Sequence, residues 1–269
     1  MAIIDLLKEI KIWGERAAKQ HNTTLKSSGY LGRDPGNIYN YNMKVPDPIV
    51  TDNPTNSAYA KGTTPNPTSQ PIVRTITFNE TLTDSQSTTT EHGITAGASV
   101  TVKSEAGLLF AKVGVEATVS FEYNYTNSQT KTTEVSRSWS DSLQITVPPG
   151  YVTEHSFIVQ TGPFNKNVVL ECDIGGTGEI FLNDGRGYWV AISQILMENG
   201  VPGIRYNPNP YTAHFTGSGK LTGKMGLQSF VNVVERPLLG RAGQVREYQI
   251  PVTGRSGLDI PIFDPVISR

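Results

Sequence analysis

The sequence predicts a mostly β, elongated protein built of long twisted antiparallel strands, with one short N-terminal helix. Three observations predict it. Residues 93–125 alternate apolar and polar on both sides of a short apolar turn, a period of two that belongs to strands. Two Ser/Thr-rich, β-prone stretches, 72–91 and 126–147, flank that segment as near mirror images, each longer than an ordinary strand. Beyond Val147-Pro148-Pro149-Gly150, which stops the second stretch because proline cannot donate to a ladder, β-prone runs recur over 152–160, 168–172, 178–182, 188–195, 213–222 and 227–235.

A chain of 269 residues can bury a core, as one elongated or two compact domains. A net charge of -1 without basic runs argues against nucleic acid as a partner. At the N-terminus, Ile3, Leu6, Leu7, Ile10, Trp13 and Ala17 recur at helical spacing and give a short amphipathic helix. Asp5, Lys8, Glu9 and Lys11 interrupt the apolar run that a secretory signal requires, so neither a signal peptide nor a transmembrane helix is expected. Residues 26–70 are rich in Gly, Pro, Asn and Tyr, with Pro35, Pro46, Pro48, Pro54, Pro65 and Pro67 breaking any long element. Tyr30, Tyr39, Tyr41 and Tyr59 sit there in a polar setting that suits contact with a sugar or a protein surface, the ring stacking while the hydroxyl hydrogen-bonds. Packing on their own domain is the plainer reading of such tyrosines.

The central segment folds into one amphipathic hairpin. Its apolar face carries Ile94, Ala96, Ala98, Val100, Val102 and Ala106, then Val113, Val115, Ala117, Val119, Phe121 and Tyr123. Its polar face carries Lys103, Glu105, Lys112, Glu116 and Glu122. A fold-back near Leu108/Leu109 would set Glu105 opposite Lys112 and leave Leu108, Leu109 and Phe110 as an exposed apolar tip suited to lipid. Each arm is long enough for the roughly 9–11 residues of a tilted membrane strand. A soluble antiparallel sheet with one face on a core alternates in the same way.

The sequence offers few residues in patterns that carry chemistry. His21, His92, His155 and His214 stand singly without metal-ligand spacing, and the single cysteine, Cys172, excludes an internal disulfide and reads as a buried thiol. Gly175-Gly176-Thr177-Gly178 reads as a β-turn, with Glu171, Asp173, Glu179 and Asp184 as a solvated rim around it. No acid–base pair or nucleophile emerges, so no enzyme, metal or cofactor is expected.

Residues 119–126 (VSFEYNYT), 132–150 with Trp139 and the two prolines, 157–165 (FIVQTGPFN) and 213–235 (AHFTGSGKLTGKMGLQSFVNVVE) follow one another along the chain. In that order they resemble the aerolysin-type β-pore-forming toxins, and within them the epsilon-toxin and mosquitocidal-toxin family, nearest to the parasporins and related small parasporal crystal toxins. The resemblance implies a protein deposited as an intracellular crystal and released by lysis, monomeric or dimeric before activation. It implies binding to a target-cell surface receptor, glycan or protein, then proteolytic trimming, homo-oligomerisation and insertion of the hairpin into the membrane as a β-barrel. The apolar face of residues 94–123 would then meet lipid and the polar face the lumen. Trp13, the four tyrosines, Tyr188 and Trp189 become candidates for receptor contact, and Arg241, Arg246 and Arg255 candidates for cleavage of a removable tail. The implied organisation is a receptor-binding region, 1–70 completed in space by about 183–212, then long strands with the hairpin over 71–182, then 213–269. A β-sandwich carbohydrate-binding or adhesin module that makes no pore is the alternative reading.

Overall fold

The computed structural model describes residues 2–31, 38–45, 49–50, 54–110, 115–126, 128–207 and 211–252. In chain order the elements are β1 (Ala2–Asp5), α1 (Leu6–Gln20), β2 (Leu25–Tyr30), β3 (Ile38–Lys44), β4 (Ile49–Val50), β5 (Thr55–Pro65), β6 (Ile72–Thr95), β7 (Thr101–Phe110), β8 (Val115–Asn124), β9 (Lys131–Val147), β10 (Tyr151–Ile174), β11 (Thr177–Leu182), β12 (Gly187–Ala191), α2 (Ile192–Glu198), β13 (Ile204–Tyr206), β14 (Ala213–Pro237) and β15 (Arg246–Pro251). The mostly β fold with long strands and an N-terminal helix is the one expected from the sequence.

The spine is the antiparallel pair β10–β14, in register from Tyr151↔Pro237 to Ile174↔Ala213. Strands of 24 and 25 residues run roughly 80 Å at the rise of an extended chain, which makes the body long. Strand β6 joins the middle of β14, and β9 accompanies β6 from Thr88↔Lys131 to Ile72↔Val147. Three apolar clusters lie along the spine. At one end, the head, Ile4, Leu6, Ile10, Ile174, Ile180, Ile195 and Phe215 pack the two helices and the sheet β2–β11–β12 together. At the other end, the foot, Phe78, Phe157, Val159, Val231 and Val233 close a sandwich, with Phe78 stacked on Phe157 at 5.0 Å. The middle cluster is covered by β7 and β8.

Helix α1 starts where Asp5 caps it, its carboxylate accepting from the N–H groups of Leu7 at 3.0 Å and Lys8 at 3.4 Å. Leu6, Ile10, Gly14, Ala17 and Ala18 form the buried stripe, whereas Leu7 is left exposed and Ile3 belongs to β1. Full burial of a side chain such as Leu6 or Ile10 stabilises the head by about 1.5–3 kcal/mol.

Several boundaries differ from the sequence reading. Residues 188–195 do not form one strand: β12 ends at Ala191, and α2 follows because Ile192, Ile195 and Leu196, at i, i+3 and i+4, all drop into the head core. The runs 152–160 and 168–172 are one strand, β10, which passes straight through Pro163. That proline is tolerated because, among the described residues, β10 pairs there with β14 alone, between the end of the β5 ladder at Thr161 and the start of the β3 ladder at Val169. The runs 213–222 and 227–235 are likewise one strand, β14. Strands β1 and β15 carry no signal read from the sequence; β1 is a short strand beside the distant β6, and β15 folds back on β14, the strand just before it. Between Gln160 and Thr161 the spine slips register, leaving Leu227 without a partner, and the N–H of Gly226 donates instead to Asp84 Oδ1 at 2.8 Å.

Candidate membrane-insertion hairpin

Strands β7 and β8 pair from Thr101↔Asn124 to Phe110↔Val115, and among the described residues their sheet contains only the short β4 besides. The register overturns the expected fold-back. Glu105 stands opposite Ser120, the strand continues through Phe110, and the connection falls in residues 111–114, outside the described residues together with Lys112 and Val113. Leu108 and Phe110 are 2% and 0% exposed, so they extend the inward row and form no exposed tip. They keep the phase of Ala106, and burying them against the body outweighs any turn preference of the sequence. Leu109 falls in the opposite row, facing Glu116 across the pair.

The inward row consists of Ala106, Leu108 and Phe110 on β7 and Ala117, Val119, Phe121 and Tyr123 on β8, all buried, with Val102 half-buried beside them. They pack on Phe164, Val168, Leu170, Leu221, Met225 and Leu227 of the spine. Gly219 gives Tyr123 its seat, since a Cβ there would lie 2.4 Å from the ring. Ile94 and Ala96, counted with the hairpin from the sequence, belong to the head cluster; Ile94 is in β6, and Ala98 is exposed in the bend that follows. Val100 precedes β7 and accepts the N–H of Tyr125 at 3.0 Å. The paired arms therefore begin at Thr101, and alternation carried on before it because β6 is itself a strand.

Side chains tie the hairpin to the body where a backbone ladder is missing. Gln86, Thr88 and Thr90, alternate residues of β6, donate to the carbonyls of Ser120, Glu122 and Asn124, alternate residues of β8, at 2.9, 2.9 and 2.5 Å. The Tyr123 hydroxyl donates to the carbonyls of Thr89 and Lys220, and the Tyr125 hydroxyl to that of Asn42. The three bonds from β6 satisfy carbonyls along the edge of β8, which left unpaired would recruit any passing strand. They also give the Ser/Thr composition of β6 a purpose that composition alone could not reveal.

The outward row is polar. Lys103 and Glu105 are exposed on β7, and Glu122 on β8 pairs with Lys103 at 3.6 Å and with Lys131 of β9 at 2.7 Å. Beneath the hairpin, a small cavity is lined by Asp84, Gln86, Val119, Arg137, Phe164 and Met225. In its wall Arg137 Nε meets Asp84 Oδ2 at 2.7 Å, both side chains nearly buried. Burial pushes the Asp84 carboxyl above its ordinary value, against the lowering effects of the Gly226 N–H and Arg137.

The candidate receptor residues do not converge. Trp13 meets Tyr188 edge-on at 5.8 Å between α1 and β12, and His21 stacks on Tyr188. Tyr30 turns into the head, where burial pushes its hydroxyl up to about 12. Tyr41 packs on Tyr125 at 5.1 Å, and Tyr59 lies in the foot. Only Tyr39 and Trp189 of that set are exposed, at 37% and 57%. Strands of residues 26–70 pair with widely separated elements, β2 with β11 of the head and β3 and β5 with different parts of β10, and so distribute the tyrosines over the whole molecule.

In the tail, Arg241 is exposed in a turn after β14. Arg246 opens β15, 3.8 Å from the nearly buried Glu235, which also accepts from Tyr248 at 3.1 Å. Arg255 lies outside the described residues. Cys172 is buried, its thiol pushed up to about 12 by desolvation, and no group of three His, Cys, Asp or Glu side chains converges as metal ligands among the described residues. No helix among them is long and apolar enough to cross a membrane.

Residues 29–247 match the family described as Clostridium epsilon toxin ETX/Bacillus mosquitocidal toxin MTX2. The chain belongs to that family. Within the ETX/MTX2 family it is similar to the pesticidal crystal protein Cry15Aa of Bacillus thuringiensis subsp. thompsoni, 31% identical over 75% of this chain and 67% of that protein. Among solved structures it is similar to a non-toxic crystal protein from Bacillus thuringiensis, with a TM-score of 0.76 and 34% identity over 90% of this chain and 100% of that one. A chain of the Cry23Aa1–Cry37Aa1 binary protein complex superposes with a TM-score of 0.78 at 28% identity, covering 93% and 96%. The β-pore-forming protein Mpp75Aa1.1 from Brevibacillus laterosporus shares the fold, with a TM-score of 0.54 at 22% identity over 93% of this chain and 96% of that one. The epsilon-toxin and mosquitocidal-toxin resemblance read from the ordered fragments is thus borne out, and the long-stranded fold is shared with a β-pore-forming protein.

Proposed function

We propose that this ETX/MTX2 protein is a β-pore-forming toxin whose β7–β8 hairpin leaves the body, pairs edge to edge with hairpins of neighbouring copies and closes a transmembrane barrel. The observation that carries the reading is the construction of the hairpin. It is a complete antiparallel pair with ten residues in each arm, one apolar face and one polar face, held by side-chain bonds and packing instead of a shared ladder. It can detach without tearing the nine-stranded sheet. Ten residues match the requirement of a tilted membrane strand, and a closed ring of such hairpins leaves no unpaired edge in lipid.

On this reading the inward row, covered by the body in water, meets lipid, and Lys103, Glu105, Glu116 and Glu122 line the lumen. The head supplies the receptor contact, and relatives that are crystal proteins support deposition as a crystal before release. Strand β15 occupies the edge of β14 from Phe230 to Glu235, so a cut after Arg241 frees it to leave only once its ladder and the Arg246–Glu235 contact are lost. One of the similar proteins is a non-toxic crystal protein, which makes a direct test of pore formation the deciding one. Dye-loaded phosphatidylcholine–cholesterol vesicles are treated with intact and trypsin-trimmed protein. The proposal predicts release, with detergent-resistant oligomers, from the trimmed protein; intact vesicles in both cases would contradict it.

A further inference from the structure

We propose that the outward face of the sheet β2–β11–β12 is a glycan-binding site that stacks a neutral pyranose on Trp189. The sheet has two unlike faces. Gly178, Ile180 and Leu182 of β11 point into the head core, together with Tyr188 of β12, whereas Thr177, Glu179 and Phe181 point out. The register aligns Trp189, Glu179 and Gly29 in one outward row, and Phe181 stands with Gly187 and Ser27 in the next. Three strands about 4.8 Å apart make a face about 10 Å across, room for a sugar ring beside the indole.

Trp189 is 57% exposed, yet it is held in place. Its Nε1–H donates to Glu179 Oε1 at 3.2 Å, and Phe181 meets it edge-on at 5.9 Å. Gly187 lets the two rings approach, since a Cβ there would lie 3.0 Å from Phe181 and 3.1 Å from Trp189. A fixed indole presenting an open face to water serves the core little and offers the apolar C–H side of a pyranose a stacking surface. The neighbouring groups suit its hydroxyls: the Glu179 carboxylate as acceptor, the Ser27 and Thr177 hydroxyls as donors or acceptors, and open space above Gly29. Charge selects the class of sugar. The rows in register hold one carboxylate and no lysine or arginine; Lys26 sits in the register slip at the end of β2, and Arg186 is paired with Asp184 at 2.6 Å. A sialylated or sulfated glycan would meet an unpaired like charge.

The site would serve as the receptor contact of the proposed toxin, so its role rests on that reading, while its existence is tested separately. Proton–nitrogen correlation spectra of the full chain show the indole N–H signals of Trp13, Trp139 and Trp189, and the Trp189→Phe variant identifies the last. Lactose, chitobiose, maltotriose and sialyllactose are titrated in turn to tens of millimolar. The expected result is a saturable shift of the Trp189 signal with at least one neutral saccharide, without movement of Trp13 or Trp139. Glu179→Ala should weaken that affinity roughly tenfold, the equivalent of about 1.4 kcal/mol, with an unchanged circular dichroism spectrum. No shift with any neutral saccharide, or an equal shift with sialyllactose, overturns the proposal. Pore formation is read separately, as dye release by the parent from vesicles free of glycan, so failure of the pore and failure of the site are read in different experiments.

Discussion

At the scale of single residues, the hydroxyls of Thr88 and Thr90 carry more of the account than any charged group. Each spends its hydrogen bond on a carbonyl of β8, and removing one such bond costs about 0.5–1.5 kcal/mol. The double variant Thr88→Val, Thr90→Val keeps shape and strand propensity but frees the edge of the hairpin. We expect faster amide exchange across residues 101–124 with little change elsewhere, and vesicle leakage at lower protein concentration; a uniform rise in exchange would mean that the threonines merely support the fold. Glu116 tests the other face. It is exposed on the outward row. Among its described residues that row holds Lys103 against Glu105, Glu116 and Glu122, one positive and three negative groups, net -2 per subunit. Glu116→Lys makes it 0, so reversal potentials in planar bilayers should move from cation preference towards none. Unchanged selectivity would remove Glu116 from the lumen.

Among the elements, the hairpin was legible in the sequence and its limits were not. Period-two alternation identified the two rows, because a strand with one buried face has no other way to repeat. It could not mark where pairing starts, since β6 alternates in the same phase as β7, nor place the turn, since Leu108 and Phe110 fit a strand as well as a tip. Helix α2 was hidden for a related reason: Val190-Ala191-Ile192 favours strands locally, and only packing on α1 and β11 selects the helix. The waist between β6, β9 and β14 gives a pH test. The folded pKa of Asp84 is raised, so its contribution to stability is full below the unfolded pKa and is lost as pH rises through the folded one. Asp84→Asn has no such titration. The melting temperature of the parent minus that of the variant should increase as pH is lowered from neutral into the mildly acidic range; a flat or falling difference would contradict the burial argument.

For the whole molecule, the family and the long-stranded architecture could be read from the order of fragments along the chain, whereas the distribution of functions over the body could not. The tyrosines of residues 26–70 look like one surface in sequence, yet Tyr30 lies in the head, Tyr41 under the hairpin and Tyr59 in the foot. Trp189 shares its outward face with Phe181, whereas Tyr188, its neighbour in sequence, points to the opposite side of the same strand. On the proposed function, what unites the parts is a body that stores the lipid-facing row of the hairpin against its own spine. The most direct measurement of that claim is a reversible tether. Glu122 of β8 and Lys131 of β9 meet at 2.7 Å near the surface, so Glu122→Cys, Lys131→Cys can be bridged by a short reducible bis-thiosulfonate linker, with the buried Cys172 out of reach. The account predicts that trimmed, bridged protein leaves dye-loaded vesicles intact and empties them once a reductant opens the bridge. Equal release from bridged and reduced protein would mean that pores form without the hairpin leaving the body.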